Sequence, residues 1–181
     1  MKQRQIEKGF TLLEVAVALG LLIMVFGSVV SLAILTRESE QASKNNLIAA
    51  YLAKEGQELV RYQRDKNYLD GASAFTSIST ETDGVDYNFL IDYTPAIYAA
   101  ASPDVTLADQ LRINQDSNGN DFYDNNSGSG TVTIFRRLVT TTYHIAAGPL
   151  PAYIDVKVEV YWKSDTKKNT YTLTSQLTDW R

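Results

Sequence analysis

Glu14 is the first residue whose position asks for chemistry. It stands near the head of "TLLEVAVALGLL", and from Val15 to Leu35 there follow 21 residues without an ionisable side chain. A carboxylate at the centre of a membrane helix costs on the order of 2.5–3.5 kcal/mol by insertion scales, and less near the interface. A cation brought from outside would offset that cost, so an acid placed here can act as a docking group. In an ordinary anchor the same side chain would snorkel to the interface.

A second cluster lies in "DSNGNDFYD", where Asp116, Asn118, Asn120, Asp121 and Asp124 fall within nine residues. Hard oxygen ligands at alternating positions suit calcium. The glycine, however, is fourth in the run rather than sixth as in an EF-hand loop, and Ser127 holds the place of the closing glutamate. Asx-Gly turns produce the same pattern with no ion. His144 is the only histidine and there is no cysteine, which excludes a multi-histidine site and a cysteine nucleophile. There is no G-x-S-x-G and no phosphate-binding glycine loop, so no enzymatic activity is expected. The pairs Arg136-Arg137 and Lys167-Lys168 are expected to face solvent, and His144 to be structural. The eleven tyrosines and two tryptophans are expected to pack the core.

The elements that must hold these groups follow from composition and period. At about 1.5 Å per residue the Val15–Leu35 run spans roughly 30 Å, the thickness of a bilayer's hydrocarbon core. The leader "MKQRQIEKG" carries Lys2, Arg4 and Lys8 against Glu7, which predicts a cytoplasmic N-terminus and an exported remainder. The apolar run is too long for a secretory signal, and "LAILTRESEQ" offers no small-residue cleavage site. Any cut is therefore expected ahead of the run. The 181 residues carry 17 basic and 21 acidic side chains, a net charge of −4. That balance argues against a general nucleic-acid surface.

From Phe10 to about Tyr62 the chain reads as one helix of about 53 residues, apolar all round at first and amphipathic later. Ile48, Leu52 and Leu59 form its stripe, widened by Leu47 and Tyr51. Asn67 to Gly84 is loop-like. "VDYNFLIDY" alternates, with Val85, Tyr87, Phe89, Ile91 and Tyr93 on one side and Asp86, Asn88 and Asp92 on the other. Residues 94–115 are irregular or a short helix. "TVTIFRRLVTTTYHI", "YIDVKVEVYW" and "TYTLTSQL" read as strands, with a hairpin loop at "KSDTKKN". The expected fold class is α+β: a long N-terminal helix packed by its second half on an antiparallel sheet of about four strands. The expected divisions are a leader at 1–9, an apolar helix half at 10–35, an amphipathic half at 36–66 and a sheet domain at 67–181.

Lys8-Gly9-Phe10-Thr11-Leu12-Leu13-Glu14, followed by an uninterrupted apolar helix, resembles the type IV pilins and pseudopilins. "AKEGQELVRYQRD" and the ending "LTDW" look most like a minor pilin. The helix has no kinking proline and the chain cannot close a disulfide, unlike many major pilins. The resemblance implies cleavage by a prepilin peptidase between Gly9 and Phe10, methylation of the Phe10 amine, and contact of Glu14 with the N-terminal amine of a neighbouring subunit. It implies residence as a single-pass protein of the inner membrane, then assembly of a periplasmic or extracellular filament by an inner-membrane platform and other pilin or pseudopilin subunits. It also raises calcium at 116–124, since some pseudopilins bind it in a loop of the β domain. A pseudopilin of a type II secretion or DNA-uptake system, or a pilus-tip adhesin, carries the same architecture.

Overall fold

The computed structural model describes residues 11–94, 96–100, 102–125, 130–164 and 167–179. Helix α1 runs from Leu12 to Leu69. Seven strands follow: β1 (Asp86–Ile91), β2 (Ile97–Ala99), β3 (Gln110–Gln115), β4 (Asp121–Asp124), β5 (Thr131–His144), β6 (Tyr153–Ser164) and β7 (Lys167–Thr178). A 3-10 turn occupies Val105–Leu107. The α+β class is as expected. The chain divides into two units, one up to Lys44 and one from Asn45 onward.

In the first unit α1 is apolar and exposed from Val15 to Leu35. By length and composition this helix can cross a membrane. Its start has a local cause. Thr11 and Glu14 have capping-box spacing, and the Thr11 hydroxyl accepts the Glu14 backbone N–H at 3.3 Å, which satisfies one of the orphan donors of the first turn.

In the second unit α1 continues past Tyr62 to Leu69, longer than its stripe of apolar residues suggests. It ends in a Schellman motif: Ala72 N–H donates to Asn67 C=O and Gly71 N–H to Tyr68 C=O, with Gly71 at φ +73°, where glycine carries no Cβ penalty. Buried Asn67 ties the end down by donating to the carbonyls of Ala74 and Thr76 at 3.1 and 2.8 Å. The loop-like segment beyond is not a mere surface loop, because Ala74, Phe75 and Ile78 are buried in the core.

The sheet is wholly antiparallel and has seven strands rather than four. β5 is its spine. Its C-terminal half pairs with β1, its N-terminal half with β3, and its other side along most of its length with β6. β2 and β4 extend the first side as hairpin partners of β1 and β3, and β7 closes the other side against β6. Residues 94–115 therefore hold β2, the 3-10 turn and β3. The β6–β7 hairpin is tighter than "KSDTKKN" suggests, because Lys163 to Ser164 and Lys167 to Asn169 belong to the strands.

On the face toward α1 stand Ile154, Val156, Val158, Val160 and Trp162 of β6, as their alternation predicts, with Phe89, Ile91, Val139 and Leu177. Against them the helix buries Ala49, Leu52, Ala53, Gly56 and Val60. Leu47 and Tyr51, expected in this stripe, are exposed. The sheet supplies the bulk here and the helix supplies small residues, which lets the two backbones approach. At Gly56 the approach leaves no room for a side chain: a Cβ there would lie 3.0 Å from Arg137 Cδ and 3.1 Å from Val158 Cγ1. The far face has a smaller apolar cluster of Leu90, Leu138 and Tyr161 under Val105 and Ala108.

β1 departs from its simple alternation for that reason, burying Phe89, Leu90 and Ile91 together. It spans only Asp86 to Ile91, so Val85 and Tyr93 lie beyond its two ends and are exposed instead of inward. Asp92, expected to face water, is buried because it organises the next turn. Its Oδ1 accepts the N–H groups of Thr94 and Ala96 and the Thr94 hydroxyl, the geometry of an Asx turn.

Candidate functional site

Gly9 and Phe10 lie outside the described residues. Glu14 lies in the first turn of α1 and its side chain is exposed. Helical periodicity places Ala18 and Leu22 on the same face, and Glu14 borders a shallow apolar groove of about 480 Å³ with Val15, Ala18, Leu19 and Leu22. Because the Thr11 hydroxyl already serves the Glu14 N–H, capping the helix does not depend on the carboxylate. The arrangement is an anion at one end of an apolar stripe. It can attract a cation presented beside that stripe.

The 116–124 segment is the β3–β4 hairpin. Asp116 N–H donates to Asn120 C=O, and Gly119 N–H to Asp116 C=O, with Gly119 at φ +82°. The Asp116 carboxylate accepts the N–H groups of Asn118 and Asn120 at 2.8 Å each, and the Asn120 amide at 3.0 Å. Asp116, Asn118 and Asn120 are thus brought together, and they close the turn on one another. Asp121 accepts from Gln115 at 3.0 Å and Asp124 from Asn114 at 2.8 Å. Three residues apart on one strand, these two carboxylates face opposite sides of the hairpin. The five groups expected to hold calcium therefore do not enclose one point. Among the described residues no three Asp, Glu or His side chains group as metal ligands.

These hydrogen bonds, first the Asn120 amide and then the Asn120 N–H, hold the Asp116 carboxyl below its ordinary value. The sign of its pH effect follows. The contribution is fully present above the unfolded aspartate value of about 3.9 and is lost as pH falls through the lowered folded value. A carboxyl NMR titration should therefore show Asp116 with a midpoint below that of an ordinary aspartate. Asn120→Ala should move that midpoint upward. A midpoint unmoved by the substitution would contradict the assigned cause.

Arg137, expected to face solvent, lies in the core instead. It is 1% exposed, and its guanidinium crosses from the sheet to the helix. Nη1 donates to Leu52 C=O at 3.1 Å and to Glu55 Oε1 at 3.2 Å, and Nη2 to Ile91 C=O at 2.7 Å. Arg136 is also engaged, donating to the Ala108 carbonyl. The legible signal was position: Arg137 precedes Leu138 and Val139 in a strand whose alternation sends 137 and 139 to the same face. His144 lies at the end of β5. It sits 3.0 Å from Asp155 and stacks on Tyr153 with ring centroids 4.5 Å apart.

Searches against protein-family models, curated proteins and solved structures find no match to the chain.

Proposed function

We propose that the chain is a structural subunit, most like a minor pilin, of a type IV pilus-like filament. A prepilin peptidase would cut between Gly9 and Phe10, and the new Phe10 amine would be methylated. In the membrane Glu14 would stand unpaired near the end of its apolar stripe. In the filament the Phe10 amine of a neighbouring subunit would pair with it, and the apolar helix halves would exchange lipid contact for contact with one another. The pair sets axial register because each apolar helix offers one acid. The reading is non-catalytic, with an assembly platform and other subunits as partners.

One observation carries this reading: the Lys8–Glu14 motif leads into a helix that can span a membrane. The fold supports it, since an N-terminal apolar helix whose later half packs on an antiparallel sheet is pilin-like in shape. Mass spectrometry of the mature protein, in cells with and without prepilin peptidase, tests it. The expected result is a methylated chain beginning at Phe10 that requires the peptidase. An intact N-terminus beside an active, compatible peptidase would overturn it.

A further inference from the structure

The β5–β6 hairpin ends in a tip that has no polar side chain. From Ile145 to Ala152 the chain reads Ile-Ala-Ala-Gly-Pro-Leu-Pro-Ala, and residues 145–151 are all exposed. Apolar surface gathered in one exposed place, rather than scattered singly, marks a contact site. The tip is held in shape before it meets anything. Ala147 and Leu150 exchange both backbone hydrogen bonds at 3.2 Å, around Gly148 at φ +60° and Pro149. Both roots are tied down: Ile145 N–H donates to Asp83 Oδ1 at 3.1 Å, and Asp179 N–H to Ala152 C=O at 2.7 Å. A turn fixed in this way gives up little freedom on binding.

The same chain carries a receptacle. Between α1 and β7 lies an open groove of about 440 Å³, lined by Leu47, Ala50, Tyr51, Lys54, Tyr171 and Leu173 among others. Leu47 and Tyr51 are exposed there, as Ile145 and Leu150 are on the tip. One chain cannot fill its own groove. Tyr153, at the root of the tip, pairs with Thr178, which is five residues beyond Leu173 and so about 17 Å further along the strand. α1 and β7 run in the same direction, since Tyr51 shares the groove with Leu173 while Arg64 reaches Thr178. The tip therefore stands toward the C-terminal end of α1, and the groove toward the start of the second unit at Asn45.

We infer that the 145–151 tip of one copy seats in the α1–β7 groove of the next, the two copies being displaced along β7 by roughly 20 Å. The displacement, with any turn about that direction, reverses nothing. Both copies point the same way, as chains inserted in one membrane must. Ile145 and Leu150 meet Leu47, Tyr51 and Leu173, and because the tip is uncharged its burial strips water from no charge. The surroundings are complementary as well: the exposed Asp83 at the root of the tip comes toward the exposed Lys54 at the groove, which favours this register. Each copy offers one tip and one groove, so the contact is heterologous, leaves a free surface at either end and propagates. It presupposes the filament reading and adds to it the surfaces that adjoining copies share beyond the apolar helix.

The test uses the full chain made in cells, in filaments sheared from them. The chain has no cysteine, so Ala147→Cys in the tip and Ala50→Cys in the groove add its only thiols, each in place of a small side chain. A short bismaleimide should link copies of this double variant into a ladder of two chains and more. Ala50→Cys combined with Thr172→Cys, on the opposite face of the sheet from Leu173, should give none. Leu150→Asp carries an unpaired carboxylate into the groove, and should lower the filament-bound fraction at least tenfold with an unchanged far-ultraviolet CD spectrum. Filaments that contain chains beginning at a methylated Phe10 but give no ladder would overturn the inference and leave the filament reading standing. So would an equal ladder from the opposite-face control, or Leu150→Asp recovered at the wild-type fraction. A wild-type chain left uncut and absent from filaments would overturn the filament reading, and the tip-in-groove contact with it.

Discussion

Arg137→Ala is expected to destabilise the sheet-bearing unit by about 3–5 kcal/mol, a large share of the net stability of a domain this size. Two effects add. The truncation leaves a cavity between helix and sheet, under Gly56. It also removes the guanidinium's hydrogen bonds to the Leu52 and Ile91 carbonyls; the Ile91 carbonyl keeps the Asn125 amide as a donor, so what is lost is the strength of hydrogen bonds to a charged group. Arg137→Met separates these effects. It refills the volume and removes a buried charge, and Glu55, which keeps 33% of its side-chain surface, can turn to water. The methionine variant should therefore recover more than half of the loss, because a buried ion pair often gives little over a well-packed apolar replacement. Urea unfolding of the two full-length variants, compared with wild type at matched detergent, measures both. An alanine variant within 1 kcal/mol of wild type would show that the guanidinium is not what holds α1 to the sheet.

On the proposed filament reading, Glu14→Leu carries the second large effect, and on assembly rather than folding. The substitution makes the apolar run longer and more hydrophobic, so membrane insertion and trimming ahead of Phe10 should proceed as in wild type. What should fail is recruitment, because the neighbour's amine would meet a hydrocarbon face. A charge-assisted hydrogen bond is worth about 1.5–3 kcal/mol, so the filament-bound fraction should fall roughly tenfold to a hundredfold. Immunoblots of sheared filaments against whole membranes read this ratio directly. Glu14→Asp, which keeps the charge and shortens the reach, should fall between the two. A leucine variant recovered in filaments at wild-type proportion would remove Glu14 from the assembly step.

Much of this molecule could be read from residue order, for reasons of period. The alternation of Ile154 to Trp162 on β6 and the uncharged run after Glu14 are repeated patterns, and repetition survives tertiary context. What escaped was set by single side chains meeting distant partners. Arg137 looked like a solvated charge because its acceptors, Leu52, Glu55 and Ile91, come from two other elements. Asp92 looked exposed because an Asx turn follows it rather than more strand. β2, β3 and β4 are short, and β1 buries residues on both faces, so none shows a clean period. In the 116–124 run, composition suggested an ion while spacing equally allowed a turn. The hydrogen bonds of Asp116 show the turn.

The bond between Arg137 and Glu55 joins residues 82 apart in sequence. At about 5–20 residues per second of synthesis, the partner of Glu55 is made some 4–16 s after it. For that interval Leu52, Ala53 and Val60 have only part of their cover: Phe75, Ile78, Phe89 and Ile91 are made before Arg137, while Val139, Val158, Val160 and Leu177 come after it. The β6–β7 hairpin, which supplies Val158, Val160 and Leu177, arrives last of all. A young chain of this kind therefore carries a finished apolar helix and an unfinished body, and its period of greatest exposure to proteases and chaperones is set by the ribosome rather than by the stability of the folded state.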